Sequence, residues 1–306
     1  YAHALTLSLP SAIFFFVPYT ESLFFMSGAL VLIGFKSNRL WMILAGLLLC
    51  SLTRPAFTVF IPALIFLFGL KEKHGQPQVL TRYLLMLGTL IAGAILVAWV
   101  QFLDTGLWFK YFKAQHLWGN YLQWVKFPLS SWGEPNIIKY DGVTFLLGLL
   151  VGFWLIVLII KKLKKATITI SREVLFSLLY IAGITSLILL FRGGKLFSTN
   201  RFIWATPFGM QALVFVFNQK PLIWNIKKAC LLLSGLLLFW LLFESYVHIQ
   251  TFMKFFILSL GLVLGFLNFV QLPEIAARTI RVCTLLASFS LQIYFMKVYL
   301  TGGWVA

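Results

Sequence analysis

Acidic side chains are scarce in this chain. Only 8 Asp and Glu occur among 306 residues, and charged residues of both signs make up 11% of it. A soluble domain needs a solvated surface, with about a quarter of its residues charged, so a water-soluble globule is excluded. Cysteine is equally sparse. Cys50, Cys230 and Cys283 all lie inside apolar runs, where they read as small buried hydrophobes and not as a disulfide framework or a metal site. His3, His74, His116 and His248 stand far apart with no ligand spacing. HExxH, GxSxG and Walker patterns are all missing, so no metal site and no nucleotide-binding loop is expected.

What is present is apolar. Hydrophobic residues reach 61% and the mean hydropathy is +0.94. The apolar residues come in runs separated by basic clusters, the pattern of a helical membrane protein. The short alternating segments of a transmembrane barrel are not seen. The 25 Lys and Arg invite a nucleic-acid partner, but they gather at the ends of apolar segments, where membrane topology wants them. No nucleic acid is expected.

Apolar segments run over about 2–17, 22–35, 40–53, 56–70, 83–103, 142–160, 174–191, 202–217, 229–243, 253–270 and 282–297. Together they predict an all-α polytopic transmembrane bundle, a single domain over 1–306, with about eleven apolar segments. Those at 22–35, 40–53 and 56–70 are shorter than the roughly 20 residues of a straight span, so extension by flanking residues or a re-entrant path is expected there. The longest non-apolar stretch, 104–141, predicts one long loop outside the cytoplasm, in which Leu107–Trp124 forms an interfacial amphipathic helix. The chain opens on Tyr1-Ala2-His3 without an initiator Met or a clear signal peptide, from which a missing N-terminal portion is expected.

If the 36–39 loop faces the cytoplasm and every segment crosses, the inner loops hold the majority of the cations, including Lys36, Arg39, Lys71, Arg82, Lys161, Lys162 and Arg172. The positive-inside rule favours this orientation. Most of the acids, among them Glu21, Asp104, Glu134 and Asp141, fall outside. Reactive chemistry is therefore expected at the outer face of a multi-pass protein, with a bacterial cytoplasmic membrane as the preferred location.

Four constellations lie at outer membrane edges. In Pro18-Tyr19-Thr20-Glu21-Ser22, the carboxylate at a membrane boundary is costly unless paired or solvated. It reads either as a cavity-lining group or as part of a solvated helix cap. In Leu52-Thr53-Arg54-Pro55, Pro55 breaks the helix, and the Arg54 guanidinium is either a phosphate fork or a snorkelling interface residue. Arg192-Gly193-Gly194-Lys195 and Ser198-Thr199-Asn200-Arg201 place three cations in one short outer loop. They face either a lipid-borne phosphate or outer head groups in general. In the stretch Trp108–Asn120, Gln115, His116 and Trp118 offer hydrogen bonds and a stacking face to a sugar, or belong to an aromatic interface belt.

The order of these pieces resembles the GT-C glycosyltransferases, specifically the GPI mannosyltransferase II (PIG-V-like) family and its bacterial relatives. The likeness rests on Pro18-Tyr19-Thr20-Glu21-Ser22-Leu23-Phe24, on Ala45-Gly46 followed by Leu52-Thr53-Arg54-Pro55, on Phe109, Ala114, Gln115, Trp118 and Gly119, and on Ser198 to Arg201 before Pro207. It covers about residues 5–210. The chain departs from the pattern at Gly106-Leu107-Trp108, where relatives often have Gly-Asp-Pro, and at Asn120, where they often have Arg.

The resemblance implies a GT-C-like fold and inverting transfer of a sugar, mannose being the expected one, from a polyprenyl-phosphate donor to a glycan, lipid or protein acceptor. It implies a catalytic carboxylate upstream of the Pro-Tyr-Thr-Glu-Ser motif, which places it before Tyr1. It fixes no certain cofactor, tolerates a metal and leaves a divalent cation open. Carried onto this chain, it assigns Arg54, Arg192, Lys195 and Arg201 to the donor phosphate. It gives Glu21 to positioning or catalysis, and Tyr19, Gln115, His116 and Trp118 to the sugars. The alternatives are a lipid-linked oligosaccharide polymerase or ligase, and a transporter or structural membrane subunit without chemistry.

Overall fold

A computed structural model describes residues 1–17, 20–72, 76–218, 234, 235, 237, 243 and 274–303. Among these the secondary structure is helical: α1 (Ala2–Ser8), α2 (Glu21–Ser37), α3 (Leu40–Thr53), α4 (Phe60–Lys71), α5 (Pro77–Thr105), α6 (Lys110–Leu117), α7 (Pro135–Leu163), α8 (Arg172–Phe191), α9 (Thr199–Trp204), α10 (Pro207–Phe217) and α11 (Glu274–Leu300). Short 3₁₀ turns occupy Pro10–Phe15 and Pro55–Val59.

Four helical stretches are long and apolar enough to cross a membrane: Pro77–Thr105, Asn136–Leu163, Arg172–Phe191 and Arg278–Leu300. Shorter apolar helices cover Leu40–Thr53, Phe60–Lys71 and Pro207–Phe217. The chain is thus a helical membrane protein by composition and architecture, but the described residues do not give eleven spans. Proline accounts for much of the difference. Segment 2–17 is divided at Pro10, where α1 gives way to the 3₁₀ turn. Segment 202–217 is divided at Pro207, which starts α10 behind the Thr206 cap. At 56–70 the first turn is 3₁₀, and the α-helix that follows, Phe60–Lys71, has only twelve residues. Proline cannot continue an incoming helix, yet suits the first turn of a new one. The segments expected at 229–243 and 253–270 lie almost wholly outside the described residues.

Punctuation residues set the other boundaries. Asn38 takes a left-handed conformation at the end of α2, and the Arg39 amide donates to the Gly34 carbonyl at 3.0 Å. Pro77 and Pro135 open α5 and α7, and left-handed Gly106 closes α5. The helix expected at Leu107–Trp124 contracts to α6, because Phe109 and Gly119 on either side have positive φ and neither conformation continues a right-handed helix.

Helix α2 packs on α3, α3 on α5, and α8 on α4, α7 and α10, while α11 lies along α1 and the first 3₁₀ turn. At the centre, Phe24, Phe60, Phe176, Tyr180 and Phe208 form a fully buried aromatic cluster shared by α2, α4, α8 and α10. Their ring centroids lie between 4.5 Å (Tyr180–Phe208) and 6.4 Å (Phe24–Tyr180) apart, within the range of favourable aromatic pairs.

This core separates two polar ends. At one, Glu72 accepts from Arg172 Nε at 2.7 Å and from Tyr83 at 3.2 Å. Lys71 Nζ reaches the Ile168 carbonyl at 3.1 Å, and Arg82 reaches Asn38 Oδ1 at 3.0 Å. The three loops expected to share the cytoplasmic side thus meet one another. Glu21, Arg54, the 106–134 connection and the 192–201 loop gather at the other end.

Candidate functional site

The site is drawn from three separate places in the chain. Pro55 ends α3, and Arg54 before it adopts an extended backbone at φ −152°, as a residue preceding proline prefers. Its side chain turns inward and is only 6% exposed. Glu21, the first residue of α2, is fully buried opposite it. Arg201 approaches from α9. Arg54 Nη1 lies 2.9 Å from Glu21 Oε1, and Arg201 Nε donates to the same oxygen. A carboxylate oxygen shared by two guanidiniums is strongly held in a low-dielectric setting. Glu21 Oε2 and Arg54 Nη1 are nevertheless buried without an aligned hydrogen-bond partner. Polar capacity is left over at the heart of the cluster, and such a buried group calls for an explanation.

Arg192 joins through an aromatic ring. Its guanidinium lies 5.4 Å from the Phe202 centroid, and Arg54 lies 4.7 Å from the same ring. It also covers the Phe197 ring at 4.0 Å and donates to the Phe197 carbonyl. Burial lowers the Arg192 pKa to about 10, while Asp141 and Tyr111 favour the charged form and Arg201 opposes it. Arg192 is therefore cationic at neutral pH.

A second carboxylate, Asp141, scaffolds this arrangement. It is fully buried. Oδ2 accepts from Ser131 Oγ at 2.8 Å and from the Ser198 amide at 3.1 Å. Oδ1 accepts from the Asn200 amide at 2.9 Å and from Asn200 Nδ2 at 2.7 Å. Ser11 Oγ donates to Asn200 Oδ1 at 3.1 Å, so the first 3₁₀ turn is fastened to the same loop. With four donors filling its acceptor positions, Asp141 has no lone pair left to take a proton from a substrate. Its role is to hold residues 198–200, and through them Arg201, in place. In the sequence Asp141 is only one outer acid among several. The adjoining Ser198–Arg201 motif was visible, but not what its serine and asparagine bind.

The Gly193-Gly194 pair has a local explanation. Gly194 has a φ of +95°, and a Cβ there would stand 2.5 Å from the Lys126 carbonyl oxygen. The loop lies against residues 126–130, with the Lys126 amide donating to Gly193 O and the Ser130 amide to Gly194 O, each at 3.0 Å. The glycines permit close backbone approach.

Two cavities flank this loop. The larger, about 910 Å³, runs between α4, α7 and α8. Its sides are apolar, with Ala63, Phe66, Leu149, Phe153, Ile156 and Ile184 among them. Phe66, Leu149, Phe153 and Ile156 are also exposed on the helix surface, so the groove opens toward the medium around the bundle. Its polar end is formed by Arg192, Tyr111, Gln115 and Asn120, with Phe202 and Pro55 beside them. Asn120 Nδ2 donates to Gln115 Oε1 at 2.6 Å, joining the two amides. The smaller cavity, about 560 Å³, is lined by Trp118, Asn120, Ser130, Ser131, Trp132, Lys195 and Phe197.

The residues singled out from sequence are thus sorted. Glu21, Arg54 and Arg201 form one cluster, which Phe202 links to Arg192. Gln115 stands at the polar end of the large groove. Lys195 and Trp118 line the smaller cavity and not the groove. His116 is exposed and lies against Tyr121 at 4.9 Å, and it lines neither cavity. Tyr19 lies outside the described residues. Tyr111 and Asn120 belong to the Trp108–Asn120 stretch but carry no role of their own in the sequence, and Phe202 is not among the expected site residues. Nothing marks Phe202 among 32 phenylalanines, since its importance comes from lying between arginines distant in sequence. Among the described residues no group of three or more His, Cys, Asp or Glu is placed to hold a metal ion. Set against family models, curated proteins and solved structures, the chain matches none of them.

Proposed function

We propose that the chain is a membrane glycosyltransferase of GT-C type, which accepts a sugar, mannose on the strength of its motifs, from a polyprenyl-phosphate donor outside the cytoplasm. One observation carries the reading: an apolar groove between helices ends at Arg192, which the Phe202 ring links to the buried cluster of Arg54, Glu21 and Arg201. A polyprenyl phosphate has the same two-part character. Its hydrocarbon chain suits Leu149, Phe153 and Ile156, and its phosphate suits guanidinium groups, which bind oxyanions as bidentate forks. At about 910 Å³ the groove is near the upper end of the range for small-molecule sites.

The arginines also suit the chemistry. As the bond between the anomeric carbon and the phosphate oxygen breaks, negative charge grows on the departing phosphate. Fixed cations in a desolvated site stabilise that charge with little reorganisation. Arg192 stands at the groove end, and Arg54 is held behind Phe202. Glu21 fixes the geometry of Arg54 and Arg201 through their shared oxygen. The acceptor hydroxyl needs a base, and Asp141 is too fully engaged to serve. The family resemblance implies a carboxylate in an outer loop upstream of the Pro-Tyr-Thr-Glu-Ser motif for that role.

A transport path is disfavoured by the closed aromatic core, where Phe24, Phe60, Phe176, Tyr180 and Phe208 are fully buried between the two polar ends. The test is transfer of labelled mannose from polyprenyl-phosphate mannose by the full-length protein in liposomes. Arg54→Ala and Arg192→Ala should each abolish transfer while leaving membrane insertion intact. Unchanged turnover in both variants would remove the arginine cluster from the reaction.

A further inference from the structure

We infer that the lysine-rich end of α7 is a head-group site for an anionic glycerophospholipid, whose acyl chains lie along the exposed face of the same helix. The site belongs to the polar end remote from the arginine cluster, and it does not rest on the transferase reading.

Helix α7 closes in Lys161-Lys162-Leu163-Lys164-Lys165. Lys161, Lys164 and Lys165 are exposed, and Lys162 is half-buried. Three nearby cations have partners inside the protein: Lys71 donates to the Ile168 carbonyl, Arg82 to Asn38 and Arg172 to Glu72. The nearby acids are engaged as well. Glu72 holds Arg172 through both oxygens, and the charge of Glu173 acts on the same guanidinium. Among the described residues no carboxylate forms an ion pair with the four lysines. Four ammonium groups within five residues repel one another unless an outside anion joins them. A cluster of this size at the end of a membrane-crossing helix attracts anionic lipid.

The backbone gives a second reason. Lys165 has a φ of +62°, the left-handed conformation in which glycine or asparagine usually ends a helix. The Ala166 amide donates to the Lys161 carbonyl at 3.0 Å and the Lys165 amide to the Lys162 carbonyl at 2.8 Å, so α7 stops at this turn. Glycine would adopt the conformation without strain, which makes the charge the reason for a lysine there. The chain beyond is held, because Ile168 and Ile170 pack against the core and Lys71 binds the Ile168 carbonyl. Lys164 and Lys165 are therefore displayed on a fixed turn.

The helix face supplies the hydrocarbon half of the site. Phe153, Ile156 and Ile160 are exposed and stand three or four residues apart, and Lys164 follows Ile160 at the same spacing. Residues so spaced share one helix face, so this face of α7 passes from apolar to cationic. Leu163 beside it is also exposed. An apolar stripe that ends in ammonium groups matches a phospholipid in shape and charge, with hydrocarbon along the helix and the phosphodiester at its end. Lysines hold such a group as mobile point charges, without the fixed fork of arginine. Phe153 and Ile156 also line the large groove, so the chains of this lipid reach its mouth.

The experiment is native mass spectrometry of the full-length protein, incubated in detergent with dioleoyl phosphatidylglycerol or dioleoyl phosphatidylcholine. The unaltered protein should retain phosphatidylglycerol in preference to phosphatidylcholine. That preference should fall about fivefold for each of Lys161, Lys164 and Lys165 replaced by Gln, the share of one lysine near an anionic lipid surface. Lys165→Gly should show the same loss while its melting temperature holds or rises. The combined Arg54→Ala and Arg192→Ala variant should keep the preference in full, and soluble glycerol 3-phosphate should not displace the lipid. Equal retention of the two lipids, a preference that survives all three Gln replacements, or one that disappears with the two arginines would overturn the assignment. Displacement by glycerol 3-phosphate would overturn it in favour of a free phosphate site. A lower melting temperature in Lys165→Gly would show that this lysine serves the fold and not the lipid.

Discussion

The guanidinium of Arg54 stands 2.9 Å from the carboxylate of Glu21, and neither side chain is more than 6% exposed. The two residues are separated by a whole helical hairpin, α2 and α3, and meet because the same hairpin returns the chain to the end where it began. Removing one member of a buried ion pair strands the other charge, which costs about 3–5 kcal/mol. Glu21→Gln should therefore lower the thermal stability of the solubilised protein strongly. Replacing Glu21 and Arg54 together by Gln and Met should restore part of that loss and still leave the protein inactive. Thermal unfolding of the three proteins checks this, and stability unchanged in the single variant would contradict the pairing.

Asp141→Asn probes the scaffold. An asparagine keeps one acceptor oxygen but points an NH₂ group at two of the four donors. A buried group left unsatisfied costs about 1–3 kcal/mol. The variant should melt at a lower temperature, and amide hydrogen exchange should rise at Ser198 and Asn200. Protection equal to the parent would show that the loop is held by other contacts.

The groove can be filled without disturbing the bundle. A Cβ at Gly152 would have only the Ala182 methyl near it, at 3.9 Å, whereas one at Gly148 would meet Thr185 Oγ1 at 2.1 Å and one at Gly183 would meet Val59 Cγ1 at 2.3 Å. Gly152→Leu should keep its melting temperature and lose use of a long-chain polyprenyl donor, while a short-chain analogue is affected less. Gly183→Ala should instead destabilise the packing of α8 by about 1–3 kcal/mol, the usual cost of an overfilled core. Activity with both chain lengths, set beside thermal melting, separates the two effects.

The sequence revealed the helical membrane class, the clustering of the polar ends and most of the charged residues of the site, because charge inside an apolar chain is costly and therefore conspicuous. Glu21, Arg54, Arg192 and Arg201 stood out for that reason, and they converge. Span lengths were less legible. Hydropathy over 2–17 and 202–217 is continuous, yet Pro10 and Pro207 interrupt the backbone hydrogen bonding and divide each stretch. Lys195 could not be separated from Arg192 by sequence, because the intervening glycines place the two side chains in different cavities. Phe202 carries no local signal, since it acquires its place only when distant segments meet, and Asn120 stands in the Trp108–Asn120 stretch without any sign that it borders two cavities.

Lipid binding tests the central claim most directly. Native mass spectrometry of the protein released from detergent, after incubation with polyprenyl phosphate or the matching polyprenol, reads occupancy of the groove and its dependence on charge. The unaltered protein should retain one polyprenyl phosphate and little polyprenol, and the combined Arg54→Ala and Arg192→Ala variant should lose the preference. Equal retention of the two lipids, or the same phosphate preference without those arginines, would contradict a groove that ends in a phosphate site.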